Sequence, residues 1–159
     1  MDPDGLLTWN DFRGPINLKS GFGAVFRADY KIEAFSEQWE GGDYCIVWTK
    51  DVKYHVTIDK EKSWTRFSEG QPGLLRHETG HLKIAELIVK QAVDNLYTVV
   101  ETACDCDKAL TAWKSKTDAI IAGVVPSMAA LQSLYDYSTG HGADFPESQK
   151  AWEKALGVQ

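Results

Sequence analysis

Apolar and polar residues alternate along the first third of the chain, which is the pattern of strands that bury one face. From Phe22 to Ala34 every even-numbered side chain is apolar, and the charged side chains all fall on the odd-numbered positions. Further strands are predicted over YCIVWT (44–49), VKYHVTID (52–59) and SWTRF (63–67), with a turn at EGGD (40–43). We therefore expect an N-terminal, twisted and mostly antiparallel sheet.

After residue 73 the apolar spacing changes to that of helices. The predicted elements are a helix from about Leu74 to Thr102, a second from about Lys108 to Leu134 and a third over 145–156, joined by a turn at CDCD and a polar loop over 135–144. Asn95 interrupts the first helix, Pro126 is expected to kink the second, and Pro146 suits the first turn of the third. One α+β domain over residues 1–159 is the economical interpretation.

Composition and charge narrow the class of partner. Hydrophobic residues make up 43% and charged residues 25%, as in ordinary soluble proteins, and the net charge is -6 with a pI of about 5.2. An acidic chain is a poor match for nucleic acid or an anionic membrane. No run of apolar residues approaches the roughly 18 needed to span a bilayer, so no transmembrane segment is expected. The segment MDPDGLLTWN shows no signal peptide, and no feature of the sequence fixes an oligomeric state.

The three cysteines do not define a disulfide framework. Cys104 and Cys106 are one residue apart, and a bond between such close neighbours is strained. A disulfide is therefore expected to join Cys45 to one of them. Free or partly buried thiols are an equally open alternative.

The segment LLRHETGHLKIAEL (74–87) carries the candidate chemistry, because it holds two of the four histidines. His77 and His81 are four residues apart, so they lie on the same face of a helix. Two imidazoles placed this way can bind one Zn²⁺ at about 2.0–2.1 Å each. Glu78 is rotated by about 100° from His77, so it lies beside the metal and can accept a proton from an attacking water. The alternative is a helix whose histidines are surface or satisfied core residues.

A catalytic zinc needs a third protein ligand and an open fourth position. Glu86 cannot supply it, because it lies about 160° around the helix from the direction that His77 and His81 share. The metzincin extension is also excluded, since Ile84 and Leu87 occupy the positions of its glycine and its third histidine.

Two other histidines remain as candidates. His55 falls on the polar side of its strand and is expected to be exposed to solvent. His141, in the glycine-flanked segment STGHGAD, can return to the helix on a loop. Asp136 and Asp144, in or near that loop, are the alternative oxygen ligands.

Four segments together resemble a bacterial family of predicted secreted zinc-dependent proteases, catalogued as a domain of unknown function. They are LTWNDFRG (7–14), SW (63–64), LLRHETGHLKIAE (74–86) and YDYSTGHGADFPESQKAW (135–152). The resemblance extends from Trp9 to Trp152, and its most specific part is the ordered series Tyr135-Asp136, Thr139, His141-Gly142, Gln149 and Trp152. Leu82 departs from the family pattern, which has an aromatic residue after the second histidine.

The resemblance implies a zincin-like α+β peptidase with a sheet packed on the active-site helix and a helical C-terminal half. It implies a Zn²⁺ cofactor held by His77, His81 and His141, with Glu78 as general base. It further implies a peptide or protein substrate and export to the periplasm or the cell exterior.

Tyr135, close to the predicted ligand loop, is a second candidate catalytic residue. A phenol near the metal can donate to the oxyanion of a tetrahedral intermediate, although a core tyrosine is an equal alternative. Two other functions stay open for the whole chain. One is a zinc amidase acting on cell-wall amide bonds. The other is a peptide-binding or structural module, in which Cys104 or Cys106 completes a closed zinc site.

Overall fold

The chain forms helices and antiparallel strands, which confirms the predicted α+β class. A computed structural model describes residues 6–67, 71–142 and 144–158. Its elements are β1 Ala24–Val25, β2 Ala28–Gly41, β3 Tyr44–Ile58, β4 Trp64–Thr65, α1 Pro72–Leu96, β5 Val100–Ala103, α2 Cys106–Ala122, α3 Val124–Thr139 and α4 Pro146–Leu156. β1 pairs with β4 in one sheet, and β3 lies between β2 and β5 in the other.

β2 and β3 follow the predicted alternation but are longer than expected. β4 covers only Trp64–Thr65 of the predicted 63–67, and the strand predicted from residue 22 to 34 is divided into β1 and β2, which belong to separate sheets. Along the first half of β2 the half-buried and exposed positions alternate, as the parity of its apolar residues predicted. The segments predicted over 44–49 and 52–59 form one continuous strand, β3, which ends at Ile58. The link between β2 and β3 is two residues long, and Gly42 adopts the left-handed φ of 62° that such a tight turn favours.

The helices differ from the prediction at their ends. α1 ends at Leu96, because residues 100–103 leave the predicted helix and pair with β3 as β5. The second predicted helix is divided at Gly123 rather than at Pro126, which lies in the first turn of α3, where a missing backbone N–H costs little. The last helix begins at Pro146, as predicted.

α3 also continues through residues predicted to form a loop. Tyr135 and Asp136 lie on this helix, which ends at Thr139. The hydroxyls of Ser138 and Thr139 both donate to the carbonyl of Tyr135, at 3.1 and 2.7 Å. Three consecutive residues, 140–142, then take φ values of 57°, 54° and 78°. Two of the three are glycines, the residue that tolerates this conformation.

Two compact units divide the described chain, and each combines separate segments. The first contains residues 6–29, 56–86 and 128–158 in the described ranges, and the second contains Tyr30–His55 and Leu87–Ser127. In the first unit Leu82 of α1 packs with Phe26 and Leu7, against the beginning of β2 and the end of β3.

In the first unit Ser63 joins the N-terminal segment to the strands. Its side chain is fully buried, accepts from the backbone N–H of Arg27 at 2.9 Å and donates to the carbonyl of Asp59 at 2.8 Å. The Ser63 carbonyl accepts from the N–H of Gly14 at 2.7 Å. A Cβ on Gly14 would lie 2.6 Å from the carbonyl oxygen of Glu61, so this approach requires glycine. The packing and hydrogen bonds of Gly14 and Ser63 therefore explain why these two residues of the family pattern suit their positions.

One helical stretch differs from the expectation of no membrane-spanning segment. Within the described residues, Cys106–Thr139 is long and apolar enough to cross a membrane by length and composition, and 17% of its apolar window is buried. One such stretch is weak evidence, and by itself it does not assign the chain to a membrane.

The second unit contains a disulfide between Cys45 and Cys106, one of the two pairings predicted as alternatives. Cys45 is fully buried in β3, in a cluster with Val47 and Trp113, and Cys106 is the first residue of α2. Cys104 is free and exposed. The bond therefore fixes the start of α2 to the central strand of the sheet.

We expect Cys106→Ser to lower the free energy of unfolding by about 2–4 kcal/mol, because the bond closes a loop with a sequence separation of 61 residues. Cys104→Ser, which alters the same short segment without removing the bond, is the matched control and should stay near wild type. Urea titrations of both variants, with and without reductant, measure the effect. Equal stabilities would contradict this role of the disulfide.

Candidate metal centre

Two histidines of α1 and one aspartate of α3 converge in the first unit. The Nε2 atoms of His77 and His81 each lie 3.0 Å from Oδ1 of Asp136. In the described part of the chain this is the one group of three acidic, histidine or cysteine side chains whose ligand atoms all lie within 4.8 Å of one another. The predicted pairing of His77 with His81 is thus present, with an aspartate between them that sequence reasoning ranked below His141.

His141 lies at the edge of the same group. Its Nδ1 is 3.5 Å from Oδ1 of Asp136, and its ring packs edge-on against Phe22 with centroids 5.3 Å apart. It is the one described non-glycine residue with a positive φ, and its backbone N–H donates to the carbonyl of Asp136 at 3.0 Å. The turn after α3 therefore brings His141 back to the site, as predicted, although its side chain remains more than half exposed.

The other predicted candidates lie outside the group. His55 is exposed, as its strand parity predicted. Glu86 pairs with Lys83 at 3.0 Å. Asp144 packs against Gly140 instead, where a Cβ would approach the aspartate Cβ to 2.5 Å.

The donor set suits a zinc ion. Two neutral imidazole nitrogens and one carboxylate oxygen are ordinary Zn²⁺ ligands. Burial alone would raise the pKa of Asp136, but hydrogen bonds from His77 and His81 outweigh it and hold that pKa well below its usual range. The carboxylate is therefore ionised at neutral pH and able to bind a cation.

Glu78 lies in the same cavity and is only 4% exposed. Burial raises its pKa above the ordinary value, while the two neighbouring imidazoles and a hydrogen bond from the backbone N–H of Phe26 oppose that rise. A carboxylate in such a site is a stronger base than one in water, which suits proton transfer near neutral pH.

Tyr135 does not take the position expected for an oxyanion donor. Its ring is fully buried and stacks on His77, with centroids 4.6 Å apart and planes inclined by 13°. The hydroxyl donates to the backbone carbonyl of His77 at 3.2 Å. Because the phenol has one proton, a catalytic role would require this bond to break. The oxyanion role stays a prediction, and the geometry assigns Tyr135 to the support of His77.

A cavity of about 590 Å³ opens beside the proposed ligands. Residues 21–27 line it continuously, including β1, and the side chains of Phe67 and Leu74 add apolar surface. Gly23 allows this packing, because a Cβ there would lie 2.8 Å from the ring of Phe67. The cavity is large enough for part of a peptide.

The sequence analysis did not identify the glycines that allow close packing around the site. A Cβ on Gly80, inside the HExxH motif, would lie 2.3 Å from the hydroxyl of Tyr135. A Cβ on Gly142 would lie 2.8 Å from the Cβ of His77. The glycine inside the HETGH motif and the two glycines beside His141 could have indicated close packing. The sequence does not show which side chains they contact.

Comparison of this chain with protein-family models, curated proteins and solved structures finds no match. The resemblance to zinc-dependent proteases therefore stays a prediction.

We expect Gly80→Ala to destabilise the protein by about 1–3 kcal/mol, because its Cβ would overpack the Tyr135 ring against a buried turn of α1. Gly73→Ala, on the same helix with nothing within 4 Å of the added atom, is the control and should be neutral or stabilising by up to about 1 kcal/mol. Thermal denaturation compares the two variants. Equal melting temperatures would refute the close packing of Tyr135 on α1.

Proposed function

We propose that this protein is a zinc-dependent peptidase with a zincin-like arrangement of its active-site helix. One observation carries the proposal, namely the convergence of His77 and His81 on the Asp136 carboxylate beside the buried Glu78. An HExxH helix, a third ligand and a buried acid next to a cavity are the parts that metal-assisted hydrolysis requires.

The geometry favours Asp136 as the third ligand, with His141 as its competitor. Asp136 already stands between the two Nε2 atoms, whereas Nδ1 of His141 lies farther from the same carboxylate oxygen, at 3.5 Å, on a side chain that is more than half exposed. The positive φ of His141 is a strained backbone state that surrounding structure must maintain. His141 lines the same cavity, so it remains the second candidate for the third ligand.

The catalytic work of the chain would centre on Glu78. Zinc, when bound, would lower the pKa of a water molecule and polarise the scissile carbonyl. The Glu78 carboxylate would accept the proton of the attacking water and later deliver it to the leaving amine. The hydrogen bond from the Phe26 N–H orients this carboxylate for both transfers.

β1 is suited to hold an extended substrate. Gly23 accepts from the N–H of Arg66 at 2.8 Å, and Val25 stands opposite Trp64, so these residues direct their backbone toward β4. Alternation in an antiparallel pair then directs the backbone groups of Ala24 toward the opposite edge, where the N–H of Phe26 already binds Glu78. Since residues 21–27 line the cavity, a peptide adding to that edge as a strand would pass the metal site.

The state of the cysteines supports the proposal on two counts. A disulfide is typical of proteins in oxidising compartments, which agrees with the export that the family resemblance implies. A closed structural zinc site was expected to recruit Cys104 or Cys106. Cys106 is instead in the disulfide, and Cys104 lies 3.7 Å from Lys108 in the second unit.

We expect the protein to bind one Zn²⁺, and we expect His81→Ala and Asp136→Ala each to weaken that binding by more than about 100-fold. Such a loss exceeds what removal of an outer hydrogen-bond partner produces. His55→Ala, an exposed histidine away from the group, is the control and should bind zinc normally. Competition titration with a chromophoric chelator measures the affinities.

His141→Ala should weaken zinc less than Asp136→Ala does. The opposite order would assign His141 as the third ligand and would place Asp136 outside the ligand set. Wild-type affinity in His81→Ala would refute the metal site itself.

Glu78→Gln should retain zinc but lose turnover by at least about 10²–10⁴-fold, because the nearly isosteric amide cannot accept the proton of the attacking water. Glu86→Gln makes the same change on the same helix at a half-exposed residue and is the matched control. Release of fluorescent peptides from labelled, unfolded casein, measured alongside zinc content, tests this. Equal turnover by Glu78→Gln and wild type would disprove the mechanism, and no release by any zinc-loaded form would oppose peptidase activity toward unfolded protein.

A further inference from the structure

We infer that Gln149 is a positioning residue for the metal site, because its side-chain amide fixes the proton and the ring orientation of His77. Gln149 lies on α4 and is 6% exposed. Its Oε1 lies 3.1 Å from Nδ1 of His77, the ring nitrogen opposite the one that faces Asp136. The inference concerns the proposed zinc site and deepens it.

The orientation of the Gln149 amide follows from its other two contacts. Its Nε2 lies 3.1 Å from Oε1 of Glu153 and 2.8 Å from the hydroxyl of Tyr135. A carboxylate can only accept, so the NH₂ group must face Glu153. Oε1 then faces His77, and Nδ1 of His77 must carry the hydrogen that this bond requires.

Tyr135 closes the network from the other side. Its hydroxyl accepts one Gln149 hydrogen and donates its own to the His77 carbonyl. Every donor in this buried set therefore has an acceptor, and reversal of the amide would set Oε1 against the Glu153 carboxylate. Arg76 binds the same Glu153 oxygen at 3.3 Å, which anchors the far end of the network.

The consequence for His77 is that Nδ1 keeps its hydrogen, so Nε2 is the ring nitrogen that a metal ion would use. Stacking on Tyr135 sets the plane of the ring, and the bond to Gln149 sets its rotation within that plane. Nε2 then faces Asp136 at 3.0 Å, and it would give up the hydrogen shared with that carboxylate when a metal ion binds. Hydrogen-bond partners of this kind orient metal-binding histidines and raise their basicity.

The test compares Gln149→Leu, which removes both the acceptor and the donors, with Gln149→Glu, which keeps an acceptor for Nδ1–H. Gln91→Leu, an exposed glutamine of α1, is the matched control. We expect zinc affinity to fall about 10–100-fold in Gln149→Leu, to fall less in Gln149→Glu and to remain unchanged in Gln91→Leu. Thermal denaturation of Gln149→Glu separately measures the stability cost of a second carboxylate beside Glu153.

The second readout is the imidazole Nδ1–H signal of His77 in ¹⁵N-resolved NMR spectra of protein with and without zinc. The bond to Gln149 should make this proton slow to exchange, and Gln149→Leu should make it exchange fast. Folded Gln149→Leu with wild-type zinc affinity and an unchanged signal would overturn the inference. So would equal losses of affinity in the Leu and Glu variants. If the wild type binds no zinc, the proposed function fails, whereas the NMR comparison in metal-free protein still decides the role of Gln149.

Discussion

One buried electrostatic constraint organises the first unit, namely two imidazoles of α1 directed at a single carboxylate oxygen of α3. His77 is almost fully buried, and Asp136 keeps an ionised carboxylate there because the imidazoles stabilise it. Such a group is costly unless its partners are fixed in position, because a displaced partner leaves a partly buried charge unpaired. Close packing around His77 holds its ring in position and so lowers this cost. Several residues of the site contribute to that packing.

The small residues follow from this constraint. Gly80 admits the Tyr135 ring against the turn of α1 that carries both histidines, and Gly142 admits the turn after α3 against the His77 side chain. The same turn carries His141 in a left-handed conformation. Close approach of α3 therefore determines the identity of Gly80 and Gly142, while the proposed chemistry involves His77, Glu78, His81 and Asp136.

Periodicity was sufficient to predict the parts of the fold that depend on one element at a time. The parity of residues 28–34, the helix that carries HExxH and the start of α4 at Pro146 could all be predicted from the sequence. β5 was not, because Val100–Ala103 becomes a strand only by pairing with β3. The extension of α3 through Asp136 was missed because its polar residues resemble a loop, whereas the Ser138 and Thr139 hydroxyls bind back to the helix. Gln149 belongs to the family pattern, but its role could not be inferred from the sequence. It follows from the contacts with His77, Tyr135 and Glu153.

The chemistry of the candidate ligands and the oxidation state of the cysteines are both consistent with an oxidising compartment. Thiolates bind zinc tightly, yet they oxidise where disulfides persist. In this chain the Cys45–Cys106 pair is oxidised, and the candidate ligands in the described residues are imidazoles and a carboxylate, which do not form disulfides. Such a nitrogen and oxygen site keeps its donors in an oxidising compartment. A mixed set of this kind also leaves the metal able to act on a substrate, since closed tetrahedral sites with several cysteines are typical of structural zinc. The donor set therefore favours a working site over a structural one.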